Sequence, residues 1–170
     1  AGAFAKEGIA YRSPGDFVLF SGSTSTGCGG ASSATGPFYC PSDQGVYIDP
    51  TFFGLLRSQL GASGGDLAQL YVLAHEWGHH IQELAGSPEI SKQAELQADC
   101  YAGAWVGAND VLESEAELQE AIAAAEGVGD DRIQEKMQGR IEHESWTHVS
   151  AEQRRTWFLQ GDTPQDPRPC

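Results

Sequence analysis

The chain has 170 residues, 40% of them hydrophobic, which suits one globular domain over residues 1–170 and excludes disorder or a collagen-like repeat as a description of the whole. Ten Lys and Arg stand against 24 Asp and Glu, a net charge of −14. A field of that sign repels phosphate backbones and anionic lipid, so the sequence argues against nucleic-acid binding and membrane-surface docking as main functions.

In chain order, Phe17-Val18-Leu19-Phe20 is a short apolar strand candidate, and the small, polar stretch 21–36 is expected to be a loop tethered by the cysteine inside it. Val46-Tyr47-Ile48-Asp49 reads as a second strand, one whose edge an extended substrate could pair with. Asp49-Pro50 then opens a short helix to about Leu60. Asp66 is placed to cap a long helix that Gly86 and Pro88 end. Further helices are expected from about Ser91 to Ala108, Glu113 to Glu126 and Asp130 to Glu142. A last one runs to Gln160 behind the capping box Ser150-Ala151-Glu152-Gln153. The fold class is α+β, predominantly helical, with a small N-terminal β element.

Cysteines stand at 28, 40, 100 and 170, none in a C-x-x-C pair. Three pairings are possible. Cys28–Cys40 with Cys100–Cys170 is favoured, because the first bridge closes a Gly/Ser/Thr-rich loop with little else to hold it, worth roughly 3 kcal/mol in the chain-entropy model. The alternative is four buried or free thiols. Disulfides would imply an oxidising, extracytoplasmic compartment. No apolar run approaches a transmembrane span and no signal peptide is visible; the start at Ala1 is compatible with a processed or trimmed form whose leader or anchor lay upstream.

The chemistry lies in His75-Glu76-Trp77-Gly78-His79-His80. Residues i and i+4 share a helix face, so His75 and His79 can present imidazole nitrogens to one metal ion, while Glu76 sits about 100° round and can reach a water on an open coordination position. His80 lies off that face and is expected to pack or to bond backbone. Catalytic zinc takes three protein ligands. Glu95, on the next helix, can be the third, and Asp99, one turn further, can accept the distal N–H of a ligand histidine. Leu96, Ala98, Tyr101, Ala102 and Trp105 mark this helix as substantially buried. The tryptophans at 77, 105, 146 and 157 are expected in the core. Gly78 allows close packing against the wall of the site. Asp130 and Asp131 are read as a helix cap in preference to a calcium site.

HEWGHHIQ at 75–82 followed by ELQADCYAG at 95–103 resembles the neutral zinc metallopeptidase family of bacteria. More broadly it is similar to the gluzincin arrangement of two histidines on one helix and a glutamate on the next. Phe38-Tyr39-Cys40-Pro41, Val46-Tyr47-Ile48-Asp49, Gly129-Asp130-Asp131-Arg132-Ile133-Gln134, Thr147-His148 and Glu152-Gln153-Arg154 resemble its flanking blocks. Val149 stands where the family usually has Gly, and Glu142-His143-Glu144-Ser145-Trp146 replaces its usual Pro-Asp turn. The resemblance implies a zincin-like domain with His75, His79 and Glu95 as ligands of Zn2+ and Glu76 as catalytic base. It implies a peptidase acting on a protein or peptide substrate.

A tetrahedral oxyanion needs a donor besides the metal; His148 is the first candidate and Tyr47 the second. The rival function is a catalytically inactive, zinc-stabilised extracellular interaction domain. It is disfavoured because a structural zinc site takes four protein ligands and the sequence offers no obvious fourth.

Overall fold

A computed structural model describes residues 10–60, 65–86, 91–109, 114–127, 149–162 and 170. Two small sheets come first. Strands β1 (Phe17–Leu19), β4 (Phe38–Cys40) and β5 (Gly45–Ile48) form a sheet in the order β1-β5-β4, with β1 parallel and β4 antiparallel to β5. Strands β2 (Ser23–Thr26) and β3 (Gly29–Ser32) form a separate antiparallel ribbon.

Two expectations are corrected here. The stretch 21–36 is not simply a loop: most of it is the β2–β3 ribbon, with Thr26 opposite Gly29 across a two-residue turn. STST and GGAS carry no apolar alternation, so no periodic signal betrays them. The hairpin is held by its own backbone ladder, by Gly27 N–H donating to Asp43 (2.6 Å) and by the Cys28–Cys40 disulfide. The strand at 46–49 does not offer an edge to substrate either. Val46 pairs with Phe17 on one side and Tyr39 on the other, so this strand is the centre of its sheet.

That central place explains its apolar run. All four residues of β5 are buried, as expected of a strand covered on both faces. Val46 and Ile48 face a core shared with the helices, while Tyr47 packs with Phe20 and Cys40 on the other side and stacks on Phe38 at 5.2 Å. Asp49 follows, buried, its carboxylate accepting from Gly22 N–H (3.1 Å), Ser33 Oγ (2.5 Å), Thr51 N–H (2.9 Å) and Thr51 Oγ1 (2.8 Å). Those bonds, Ser33's first, hold its pKa well below the usual carboxylate range. Asp49 thus ties the ribbon to the start of helix α1 (Thr51–Leu55), which continues as a π turn over Leu56–Leu60.

Helix α2 (Asp66–Leu84) starts from Gly65 at the cap, with Asp66 in its first turn, and gives way at Gly86 in a left-handed conformation (φ 81°). Helix α3 (Lys92–Ala108) is capped by Ser91, whose Oγ accepts from Ala94 N–H at 3.1 Å. Ser114 and Glu117 form a reciprocal capping box at the head of α4 (Glu115–Gly127). Ser150 and Gln153 form another ahead of α5 (Ala151–Asp162), the one the sequence pattern announces. The expected helix over Asp130–Glu142, with Asp131, lies outside the described residues.

The architecture is mixed α+β and mostly helical. Helix α2 packs on α3 and α4, and α5 packs on α3 and α4. Tyr71, Val72, Val106, Ile122 and Phe158 fill the interior; a side chain such as Phe158, fully buried, contributes on the order of 1.5–3 kcal/mol. Two glycine contacts decide how closely the helices approach. A Cβ on Gly78 of α2 would lie 2.9 Å from the Ala98 Cα of α3. A Cβ on Gly103 of α3 would overlap the Phe158 carbonyl of α5, and one on Gly161 the Cys100 carbonyl. Trp105 departs from expectation: it is 44% exposed. Trp77 and Trp157 are half-buried, and Trp146 lies outside the described residues.

Both favoured disulfides are formed, Cys28–Cys40 and Cys100–Cys170. Among the described residues no helix is long and apolar enough to cross a membrane.

Candidate metal centre

The close approach of α2 and α3 at Gly78 brings the three expected donors together. His75 and His79 stand one turn apart on α2, and Glu95 faces them from the first turn of α3. Donor atoms of the three lie within 4.8 Å of one another. His75 Nε2 is 3.4 Å from one Glu95 oxygen and His79 Nε2 is 3.4 Å from the other. This spacing is informative. Charge-assisted hydrogen bonds run ~2.7–2.9 Å, so these pairs are too far apart for good ones. Two ligands each ~2.05 Å from a tetrahedral zinc ion stand about 3.3 Å apart. The donor set, two imidazoles and a carboxylate, is also one that zinc takes.

The charges around the group point the same way. Asp99, fully buried one turn beyond Glu95, accepts from His75 Nδ1 at 2.8 Å, from Tyr71 OH at 2.5 Å and from Arg154 at 3.0 Å. The bond to Nδ1 leaves His75 Nε2 facing Glu95. Burial works against a charged His75, yet Asp99 and then Glu95 outweigh it and push its pKa up to about 10. The carboxylates therefore draw positive charge into the gap between the donors, which is what a cation site requires. Glu76, next along α2, is buried to 7% exposure, and among the described residues no hydrogen bond or ion pair occupies its carboxylate.

Three side chains that sequence reasoning left without a role also belong here. Arg154 of α5, 3% exposed, reaches Glu95 with one guanidinium nitrogen (2.9 Å) and Asp99 with the other. It neutralises two carboxylates placed i, i+4 on α3, and they hold its pKa far above the ordinary value against the effect of burial. Tyr71 lies one turn before His75, on the same face of α2, and that spacing was its only available signal. Gln82, buried three residues after His79, receives His79 Nδ1 at 2.9 Å.

Residues 1–93 and 85–170 match the family described as putative neutral zinc metallopeptidase. The chain belongs to this family. Among relatives of this zinc metallopeptidase family member, the uncharacterized protein Rv2575 of Mycobacterium tuberculosis is 46% identical over 175 residues, covering 89% of this chain and 60% of that protein. The uncharacterized protein YpfJ of Escherichia coli K12 is 44% identical over 186 residues, covering 98% of this chain and 64% of its own length. The chain thus spans less than two thirds of these relatives. No solved structure matches it.

The remaining candidates fall elsewhere. His148 lies outside the described residues. The hydroxyl of Tyr47, the second candidate donor, donates to Asp43 at 2.7 Å. Both hydrogen bonding to that carboxylate and burial push its pKa up to about 12. His80, fully buried, turns away from the donor group: its Nε2–H donates to the Arg12 carbonyl at 2.7 Å and its Nδ1 meets Tyr39 OH at 2.9 Å.

Proposed function

We propose that the chain is a zincin-like metallopeptidase domain that hydrolyses peptide bonds in protein or peptide substrates, with Glu76 as general base. The observation that carries this reading is the 3.4 Å spacing of Glu95 from both imidazole Nε2 atoms, beside a Glu76 carboxylate that no hydrogen bond or ion pair occupies among the described residues. His75, His79 and Glu95 would hold zinc. When bound, zinc polarises a scissile carbonyl and acidifies a coordinated water. The chain's own residues do the rest. Glu76 accepts a proton from the attacking water and returns it to the leaving amine nitrogen. Asp99 holds the Nδ1–H of His75, so that Nε2 is the nitrogen a metal ion would take. Arg154 balances the charge of Glu95 and Asp99. His148 is proposed to donate to the oxyanion. The two disulfides support an extracytoplasmic setting, and the net charge of −14 disfavours nucleic-acid partners and contact with anionic membranes.

Bound zinc and hydrolysis of a casein-like unfolded substrate, measured for wild type and Glu76→Gln, test the reading. About one zinc in both proteins, with turnover only in the wild type, is the expected result. Zinc in both and turnover in neither would make the domain an inactive, zinc-stabilised module; no stoichiometric zinc would remove the metal reading altogether.

A further inference from the structure

Gln82 has its carboxamide orientation dictated by main chain. Its nitrogen lies 2.6 Å from the Ala94 carbonyl, which can only accept, so the amide N–H faces that way and Gln82 Oε1 faces His79. His79 Nδ1 must then carry its proton and donate it, which leaves the lone pair on Nε2, the atom 3.4 Å from Glu95. A second amide extends the chain. Gln82 Nε2 also donates to Gln97 Oε1 at 3.0 Å, and Gln97 Nε2 donates to the main-chain carbonyl of Cys170 at 3.1 Å. That carbonyl again fixes which end of the amide is which. Cys170 is in turn bonded through sulfur to Cys100, the residue after Asp99.

We infer that Gln82 and Gln97 are positioning residues for His79, and that the Cys100–Cys170 disulfide anchors the far end of their hydrogen-bonded chain, so that this disulfide contributes to metal retention. The inference rests on the metallopeptidase reading and deepens it. Each link runs donor to acceptor in one direction, from His79 to Gln82, from Gln82 to Gln97 and from Gln97 to Cys170. Losing the last link frees the Gln97 side chain, which is only partly buried, to turn toward solvent. Gln82 then keeps Ala94 but loses its second restraint. A partner on the distal nitrogen of a ligand histidine is commonly worth about 10- to 100-fold in metal affinity.

The test uses the 170-residue chain loaded with cobalt(II) or zinc(II). In the cobalt form, the Nδ1–H protons of His75 and His79 are followed as separate paramagnetically shifted, exchangeable resonances. Gln82→Leu is expected to speed exchange of the His79 proton at least about 10-fold while leaving that of His75, held by Asp99, unchanged, and to weaken zinc about 10-fold by chelator competition. The double variant Cys100→Ser/Cys170→Ser should move the His79 signal and zinc affinity in the same direction by a smaller factor. In a Gln97→Leu background its removal should add nothing. A disulfide that merely stabilises the fold would lower the melting temperature and leave both readouts where they were, which would overturn the inference. An undiminished effect of disulfide removal in the Gln97→Leu background would overturn it too. Should the cysteine variant not fold, Gln97→Glu keeps the acceptor for Gln82 but cannot donate to the Cys170 carbonyl. Faster His79 exchange in that variant supports the chain, and unchanged exchange refutes it. A wild-type chain that takes up no stoichiometric metal refutes the peptidase reading instead, a result distinct from all of these.

Discussion

His75 and His79 sit one turn apart on the same helix, yet the molecule holds them by different physics. His75 is gripped by charge: a buried aspartate that also takes a tyrosine hydroxyl and an arginine from α5. His79 is gripped by neutral amides, Gln82 and then Gln97, ending on main chain. The charged side has high stakes, because removing one member strands the others without water. The neutral side has low stakes and a longer reach. The contrast teaches that orientation of the two imidazoles and stability of the domain are separable, since only one of the two tethers is also a buried ion-pair network.

Breaking the charged side should have the largest effect. Asp99→Ala leaves Arg154 and Tyr71 facing an empty acceptor, and urea unfolding should register a loss of about 3–5 kcal/mol. Because Arg154 and Asp99 touch, the pair Asp99→Asn/Arg154→Met should cost less than the two single changes added together, by about 0.5–3 kcal/mol; strict additivity would show that the contact carries little energy. Next in size is the joint that both tethers depend on. Gly78→Ala drives a methyl into the Ala98 backbone, and α2 and α3 must separate. A loss of about 1–3 kcal/mol in urea is expected, with weaker zinc binding by chelator competition; a variant as stable as wild type would mean the helices have slack there. Gln82→Leu, the neutral counterpart of Asp99→Ala, should cost only about 1 kcal/mol of stability while still loosening zinc. A stability loss as large as that of Asp99→Ala would erase the distinction.

In the β half the expected effect is a pH dependence. The folded pKa of Asp49 lies below its unfolded value of about 3.9. Its contribution is therefore complete above that value and fades as pH falls through it toward the folded pKa. Urea midpoints between pH 6 and pH 2 should decline less steeply for Asp49→Asn than for wild type. Parallel curves would mean that the four bonds to its carboxylate do not favour the ionised form.

What could be read from the sequence follows the same division. The donors were legible because i, i+4 spacing on a helix is a strong geometric statement, and Glu95 with Asp99 repeats it on the next helix. The capping box at Ser150 was legible for a similar reason, being local. Arg154 was not, since it is 59 residues from Glu95 in sequence and meets it only through the Gly103–Gly161 packing of α3 on α5. Gln82 was visible in the HHIQ run, but a glutamine in a helix carries no periodic signal of its own. Strands at 17–19 and 46–48 were both recognised by their apolar runs, while the strand at 38–40 and the pairing of all three were not, because pairing partners are set by tertiary arrangement. The β2–β3 ribbon was missed because it has no apolar alternation to detect.

Arg154 has a consequence for how the chain matures. It lies 59 residues beyond Glu95 in the chain, so a polypeptide emerging N-terminus first displays Glu95 and Asp99 before their counter-cation has been synthesised. During that interval the two carboxylates have the imidazoles of α2 beside them but not the guanidinium that lies 2.9 and 3.0 Å from them in the finished fold. Docking of α5 is then the event that supplies the counter-cation and completes the centre.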